Sequence, residues 1–442
     1  MAGNALTDVF RIKELRERIL YTITWLVVFR IGVFLPIPGI NASELNNYFA
    51  SASSQGGITD YLDFFAGGAF KNFSVFMLGV MPYISTQIIM QLMLIVFPSL
   101  KKIAEQEGGR KKIALYTRLG SIVVAVLQSF ALVAYAKTIA KENPAVLMIS
   151  PQAYTVLAIA TVTTGTMFLV WIGEQITKRG IGNGVSLIIF SGIVARLPGA
   201  LVSLAVKVAN REVNAVVTIF VLLLFVSVVV LVIFEQQGQR KIPVNYAKRV
   251  VGRKMYGAQN TYIPFKINPS GVIPVIFASS LLTFPLQIAQ SMGGQALWIR
   301  NVANFLRPEG WWYNILYVLF IIFFAYFYTQ VSLNPQEISK NIRENGGSIP
   351  GIRSEKMEEY LSKILNRIVL PGALYLALIA LIPTIVQRIF NFPSELAYLL
   401  GGTSLLILVG VDLDTMSQVE AQLKMHHHDG LTKRGHIKSR NL

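Results

Sequence analysis

GVMPYI at Gly79–Ile84 is an apolar stretch that recurs as GVIPVI at Gly271–Ile276. A second stretch, SLII at Ser186–Ile189, recurs as SLLI at Ser404–Ile407. Each copy lies in a long hydrophobic segment, and the two pairs come in the same order in each half of the chain. Two matches in register indicate a duplicated membrane protein built around one central site.

The composition of the whole chain also indicates a membrane protein. Of 442 residues, 53% are hydrophobic and 14% are charged, whereas soluble chains carry about 25% charged residues. The formal net charge is +17, so the few charges are mostly basic. Because there is no cysteine, disulfides, thiol catalysis and cysteine-ligated metals are excluded.

We predict ten spanning helices, each close to the roughly 20 residues that a bilayer core requires. Their approximate ranges are 19–38, 74–97, 117–140, 151–172, 181–204, 213–234, 271–291, 312–333, 367–390 and 396–416. The segment 58–73 is short, interrupted by glycine and carries Asp60 and Asp63. It is therefore predicted to be a re-entrant half-helix or a buried loop.

The basic residues predict the orientation in the membrane. Most of the 40 lysines and arginines fall in the N-terminus, the C-terminus and the 2–3, 4–5, 6–7 and 8–9 loops. By the positive-inside rule, both termini are cytoplasmic. Residues 1–18 are predicted to form an amphipathic helix on the membrane surface, because no small-residue cleavage site supports a secretory signal. Residues 417–442 are predicted to form a cytoplasmic tail.

The duplication predicts two halves of opposite orientation. Five helices fall in 19–206 and five in 207–416, which also carries the cytoplasmic loops 235–270 and 334–366. Since five is odd, the second half enters the membrane upside down relative to the first. The predicted fold class is an all-α membrane protein, with ten transmembrane helices in two inverted five-helix halves around a central pore.

The repeats also suggest which side chains point toward the axis. Val80 and Ile84 are four residues apart and share one helical face. Ile276 is the repeat partner of Ile84, and Ile189 is that of Ile407. A collar of aliphatic side chains cannot select an ion or a metabolite, but it can seal a pore by dewetting and grip a chain of any sequence.

Two other classes of function remain open at this point. A secondary transporter would need polar or ionisable groups at mid-membrane, and the sequence shows few of them. Arg30, Lys137 and Arg196 occur within spans, while Glu174, Asp412 and Asp414 lie near cytoplasmic ends. A scaffold without a pore would leave the repeated aliphatics unexplained. Asp412 and Asp414 are two residues apart and do not share a helical face, which argues against an aspartyl intramembrane protease. No phosphate-binding loop is present, and we predict no enzyme activity, cofactor or metal site.

The chain closely resembles the SecY family, the channel subunit of the bacterial protein-conducting translocon, over nearly its whole length. The motifs that carry the resemblance are Arg30–Gly32, Pro36–Gly39, Gly79–Gln91, Arg110–Arg118, Gly165–Pro198, Val244–Arg249 and Pro350–Arg353. The resemblance implies an hourglass pore that passes unfolded secretory polypeptides. Its constriction ring would map to Val80, Ile84, Ile189, Ile276 and Ile407, the same set that the repeats suggest.

The resemblance further implies a plug and a lateral gate. The plug segment (58–72) would close the pore from the outer side, with Ile58, Phe64, Phe65, Gly67 and Gly68 as its residues. The gate would open between helices 2–3 and helices 7–8, and the matching gate positions are Ser85, Gln91 and Phe284. Each Leu, Ile or Phe gains roughly 0.3–0.6 kcal/mol at the membrane centre, so an open gate would release apolar segments into the bilayer.

The resemblance makes the basic 6–7 and 8–9 loops the docking site for the ribosome, through its RNA phosphates, and for the SecA ATPase. The implied docking residues are Arg240, Lys248, Arg249, Arg253, Lys254 and Arg353. Without the resemblance, orientation and contact with anionic lipid would explain the same charges. The other implied partners are the small subunits SecE and SecG, signal peptides, nascent chains and the lipid bilayer of the bacterial cytoplasmic (inner) membrane.

Overall fold

A computed structural model describes most of the chain. The described residues are 12–52, 63, 66–246, 249–251, 254–256, 260–291, 301, 305–306, 310–390, 392–399 and 401–434. The chain divides into two compact units. The first unit comprises Met1–Ala200, Ser291–Gly293 and Ile407–Leu442, and the second comprises Leu201–Gln290 and Gly294–Leu406.

The described residues are mostly helical. The helices are α1 (Lys13–Val33), α2 (Ala42–Ala52), α3 (Met81–Val96), α4 (Pro98–Glu105), α5 (Gly109–Glu142), α6 (Pro151–Arg179), α7 (Gly184–Ala209), α8 (Ala215–Gln237), α9 (Ile273–Ser291), α10 (Trp311–Ser332), α11 (Pro335–Glu344), α12 (Met357–Phe390), α13 (Ser394–Leu399) and α14 (Gly402–Arg434). The strands are β1 (Gln239–Tyr246), β2 (Arg249–Val251), β3 (Lys254–Tyr256), β4 (Asn260–Lys266) and β5 (Gly347–Ser348).

Each of the ten predicted spans overlaps a described helix. Among the described residues, seven helical segments are long and apolar enough to cross a membrane, or eight if the pair α3 and α4, bent by 103°, counts as one span. The remaining predicted spans fall on α1, whose first turns carry charged residues, and on α9, whose apolar part Ile273–Thr283 is short. The chain is therefore a multi-pass membrane protein.

The second predicted span begins later than its hydropathy indicates. Residues 75–80 form turns, and helix α3 begins only at Met81. Gly79 has φ +56°, a left-handed conformation that stops an incoming helix. Its N–H donates to the Phe76 carbonyl over 2.8 Å. Helix α12, in contrast, begins earlier than predicted. It starts at Met357, whereas the predicted span starts at 367.

In the first unit, α1 and α14 pack against the turn between α6 and α7. Leu15 and Ile181 form a buried apolar cluster to which Val419 and Leu423 contribute. The N–H of Gly182 donates to the side-chain oxygen of Gln418 over 2.9 Å. Residues 13–18, predicted as part of a surface helix, form the first turns of α1, and α14 continues into the predicted tail as far as Arg434.

In the second unit, the two long loops form one small domain, here called the loop body (β1, β4, β5, α11 and the first turns of α12). Strand β1 pairs antiparallel with β4 and with β5, which gives a three-stranded sheet of order β4-β1-β5. Its apolar core joins the inward residues of both loops, among them Val244, Phe265, Ile342, Met357 and Leu361. The 6–7 and 8–9 loops, predicted as separate loops, are therefore held together by one core.

Candidate functional site

The two copies of the first repeat form the same helix start. Gly79 and Gly271 have φ +56° and +59°, and a helix begins two residues after each of them. Pro82 and Pro274 both occupy the second helical position, where proline is tolerated because its missing N–H has no intrahelical partner. The sequence repeat is thus also a repeat of local backbone structure.

The hydrogen bonds that open these helices also correspond. In α3, the N–H of Ile84 donates to the Val80 carbonyl over 3.1 Å. In α9, the N–H of Ile276 donates to the Val272 carbonyl over 3.3 Å. Ile84 and Ile276 therefore hold the same position in their helices, as the repeat predicts.

The second repeat forms an equivalent pair of helix starts with a close backbone approach. Gly184 is the first residue of α7, and Gly402 is the first residue of α14. A Cβ at Gly184 would overlap the carbonyl oxygen of Gly173 in α6, and a Cβ at Gly402 would overlap that of Ile379 in α12. In both copies, only glycine lets the new helix begin against the backbone of an earlier one.

The first helical bonds of α7 and α14 also correspond. The N–H of Leu187 donates to the Asn183 carbonyl over 2.9 Å, and the N–H of Leu405 donates to the Gly401 carbonyl over 3.0 Å. Ile189 and Ile407, two residues further along, are thus structurally equivalent within their helices.

The predicted ring residues differ in exposure. Val80, Ile84, Ile189 and Ile407 are all buried, with at most 4% of their surface exposed. Ile276 is only partly buried. All five lie at or within two turns of a repeated helix start, and all five present only hydrocarbon. Their assignment to one ring stays a prediction.

The described part of the plug segment is packed into the first unit. Gly67 and Gly68 have φ +64° and +95°, so they form a turn that other residues adopt only with strain. Phe70 is buried, and Phe73, just beyond the segment, stacks on Tyr135 of α5 with ring centroids 6.1 Å apart. Three predicted plug residues, Ile58, Phe64 and Phe65, lie outside the described residues.

Two arginines from spanning helices contact this segment. Arg196 Nη1 of α7 lies 2.8 Å from Asp63 Oδ2, and Asp63 has only 1% of its side chain exposed. Arg30 Nη1 of α1 donates to the Gly67 carbonyl over 3.0 Å. Sequence reasoning noted these charges separately and missed their pairing. The available signal was that a charge within a membrane span needs a partner. Asp63 is an acidic residue in the segment that was predicted to re-enter the membrane or to form a buried loop.

The same face of α7 carries a predicted ring residue and the contacts to the plug segment. Ile189, Gly192 and Arg196 are spaced i, i+3 and i+7, so they share one helical face. Gly67 approaches Gly192 so closely that a Cβ on Gly67 would lie 2.7 Å from the Gly192 Cα atom. The plug segment therefore packs on α7 next to the turn that holds Ile189.

The predicted gate residues are only partly described. Ser85 and Gln91 are partly buried in α3. The side-chain oxygen of Gln91 is buried and accepts no hydrogen bond from a described residue. Phe284 lies in α9, and its side chain is outside the described residues. The gate assignment stays a prediction.

The predicted docking residues belong to the loop body and the hairpin β2–β3. Arg240 is exposed on β1, and Arg249 and Lys254 lie in β2 and β3. Lys248 and Arg253 are outside the described residues. Arg353 is exposed on a short turn that is held at both ends, since its neighbours Ile349 and Met357 are buried in the core of the loop body.

This turn presents Arg353 in a fixed way. The N–H of Ile352 donates to the Ile349 carbonyl over 3.1 Å, and the N–H of Lys356 donates to the Arg353 carbonyl over 2.9 Å. A guanidinium on a fixed turn suits the recognition of carboxylate or phosphate groups. Within the described part of the chain, no three His, Asp or Glu side chains cluster as a metal site would require.

Comparison with known sequences identifies relatives of this chain. The sequence profile of the SecY family matches residues 74–416. The protein translocase subunit SecY of Borreliella burgdorferi is 48% identical over 419 residues, which cover 94% of this chain and 94% of that protein.

Comparison with solved structures identifies channels of the same fold. A SecY structure, in which the plug domain was found to stabilise the closed state of the translocation channel and maintain a membrane seal, has a TM-score of 0.64 at 18% identity. Sec61 in a canine ribosome-channel complex from the endoplasmic reticulum has a TM-score of 0.60 at 18% identity. Each match covers 96% of this chain and 95% of the solved chain. This likeness confirms the predicted fold class.

Proposed function

Since this chain belongs to the SecY family of protein translocase subunits, we propose that its repeated aliphatic side chains form the constriction through which unfolded polypeptides pass. The protein is a channel subunit and not an enzyme. We further propose that it works in the bacterial cytoplasmic (inner) membrane with both termini cytoplasmic, as the positive-inside rule predicts.

The observation that carries this proposal is the structural equivalence of the four helix starts. Each pair repeats its first hydrogen bond and the position of its aliphatic side chain. The first pair also repeats its glycine turn, and the second pair repeats its close glycine contact. The proposed ring consists of Val80, Ile84, Ile189, Ile276 and Ile407. Such a ring excludes water and ions by dewetting, and it makes no demand on the sequence of the chain that it grips.

The plug segment is proposed to close this constriction from the outer side when no polypeptide is present. Its support is local, because the segment packs on the face of α7 that carries Ile189. The contact between Gly67 and Gly192 is one helical turn from Ile189. A segment held there is next to one of the proposed ring residues.

Lateral release follows from partition between water and lipid. A ten-residue apolar run gains a few kcal/mol on entering the bilayer, at roughly 0.3–0.6 kcal/mol per Leu, Ile or Phe, whereas a polar run loses free energy. We place the gate at Ser85, Gln91 and Phe284. A gate of this kind sorts signal peptides and membrane segments from secreted segments without reading their sequence.

The driving partners are proposed to bind the loop body and the hairpin β2–β3. The solved Sec61 structure is a ribosome-channel complex, and basic side chains suit contact with ribosomal RNA phosphates. The same surface would bind the SecA ATPase when export is not coupled to translation. SecE and SecG are the proposed small membrane partners.

The ring is tested by the conductance of the channel reconstituted in planar bilayers. Ile84→Asn and Ile276→Asn each place an amide in the proposed constriction, where it should hold water and lower the barrier to ions. We expect each variant to leak small ions at rest, with at least about a tenfold higher conductance than the unsubstituted channel.

Ile89→Asn in α3 is the matched control, because Ile89 is 48% exposed and lies on another face of the same helix. Its conductance should stay at the resting level. Equal leak from Ile84→Asn and Ile89→Asn, or no leak from Ile84→Asn and Ile276→Asn in folded protein, would contradict the ring.

A further inference from the structure

Within the described part of the plug segment, Asp63 forms a charged pair with Arg196 of α7. Asp63 uses both carboxylate oxygens. One oxygen pairs with Arg196 at 2.8 Å, and the other accepts the N–H of Lys71 over 3.0 Å. The N–H of Gly68 donates to the Asp63 main-chain carbonyl over 3.2 Å. Asp63 therefore joins α7 to the turn that follows it within the segment.

Two further contacts act on the same turn. Arg30 of α1 donates to the Gly67 carbonyl, so a second helix of the first unit holds the turn. The backbones of Gly67 and Gly192 are in contact, so the turn packs directly on α7. The segment is thus fixed by one ion pair, one charged hydrogen bond and one close steric contact.

From these contacts we propose that Asp63 and Arg196 are positioning residues that latch the plug segment on α7. The inference rests on the proposed function in one respect, namely that segment 58–72 closes the pore.

The environment explains how such a latch can be both firm and reversible. Asp63 is almost fully buried, and the Arg196 side chain is only 18% exposed. The attraction between two charges scales inversely with the dielectric constant, so it falls about fourfold between a protein environment (effective value near 20) and water. Hydration also restores the solvation that both charges lose on burial. Exposure of this pair to water would therefore weaken the contact that holds the segment on α7.

The latch is tested by hydrogen exchange of the full-length chain in lipid nanodiscs, read by mass spectrometry at the amides of Gly68 and Lys71. Asp63→Asn removes the negative charge but keeps an oxygen that can accept from Lys71. Arg196→Gln removes the positive charge. Each single variant leaves one buried charge without its counterpart, so we expect exchange to rise at least about tenfold.

The double variant Asp63→Asn/Arg196→Gln separates pairing from general damage. With both charges gone, no buried charge lacks its counterion, and exchange should be slower than in either single variant. Unchanged exchange in both single variants would overturn the latch. So would a double variant whose effect is the product of the two single effects, because that result means that the two residues act independently.

A steric variant keeps the test decisive if the charge variants do not fold. Gly192→Ala inserts a methyl group where Gly67 lies, and the added Cβ would be 3.0 Å from the Gly67 Cα atom. Gly199→Ala on the same helix meets open space and is the control. Faster exchange at Gly68 and Lys71 in Gly192→Ala alone supports the docking on α7. Equal exchange in the two variants overturns it.

Conductance of the same variants distinguishes this inference from the proposed function. If exchange rises and the resting channel also leaks ions, the latch and the closing role of the segment are both supported. If exchange rises without a leak, the latch stands and the closing role of segment 58–72 is contradicted.

Discussion

The helix start at Gly79–Ile84 and the helix start at Gly271–Ile276 share a backbone but follow different elements. The first copy comes after the plug segment, from which Phe70 packs on Tyr135 of α5, as does Phe73 just beyond the segment. The second copy comes after strand β4 of the loop body and a polar turn, in which Asn268 donates to the Gly271 carbonyl over 3.0 Å. One structural element therefore has two different neighbours along the chain.

This difference follows from the inverted repeat. In the predicted orientation, the chain reaches the first copy from the outer side and the second copy from the cytoplasm. The repeated helix starts supply equivalent aliphatic positions, while the preceding segments adapt to the compartment that each one faces. Under the proposed function, the segment before the first copy closes the pore, and the segment before the second copy docks a charged partner.

The largest effect is expected where both copies of the second repeat require glycine. Gly184→Val and Gly402→Val each force a side chain into the carbonyl of an earlier helix. We expect either variant to lose more than about 4 kcal/mol of stability and to yield little folded protein. Thermal unfolding of purified protein in detergent would measure this loss.

Gly199→Val is the control, because a Cβ added at Gly199 meets no neighbouring atom. If the two copies are equivalent, Gly184→Val and Gly402→Val should be damaging to a similar degree, and Gly199→Val should be far milder. Normal stability of either repeat variant would break the equivalence.

A smaller effect is expected from a charge reversal on the proposed docking surface of the loop body. Arg353→Glu reverses a charge on a fixed exposed turn, and we expect SecA or ribosome affinity to fall at least about tenfold, or ~1.4 kcal/mol. Binding to the reconstituted channel would measure it. The resting conductance should not change, because the loop body is not proposed to seal the pore.

Lys340→Glu gives the same change in net charge on the same loop body. The Lys340 side chain is 71% exposed, and its Nζ atom lies 3.8 Å from Oε1 of Glu344, one helical turn away. Its reversal should weaken binding less than that of Arg353. An equal loss in both variants would mean that overall charge, and not the position of Arg353, governs docking.

The sequence predicts the repeated helices well because hydropathy and local turn chemistry determine them. Gly79 and Pro82 mark a turn followed by a helix start, a local signal that the hydropathy-based span did not use. Hydropathy alone does not locate the start, since residues 75–80 are apolar although they form turns. For this reason the predicted span 74–97 began too early.

The contacts that depend on distant pairing were not predictable from local patterns. Arg30 and Arg196 were recognised as charges within spans, but neither hydropathy nor helical periodicity names Asp63 and the Gly67 carbonyl as their partners. The loop body was missed for the same reason. Val244 and Met357 are more than a hundred residues apart, and only the folded chain shows that they share a core.

The most direct test of the central claim is a crosslink from a stalled nascent chain to the repeated aliphatic positions. A photoactivatable residue would replace Ile84 or Ile276, with Ile89 and Leu281, which are 48% and 42% exposed on the same two helices, as controls. We predict that positions 84 and 276 both crosslink to the translocating chain and that positions 89 and 281 do not. Crosslinks to lipid alone from positions 84 and 276 would contradict the account.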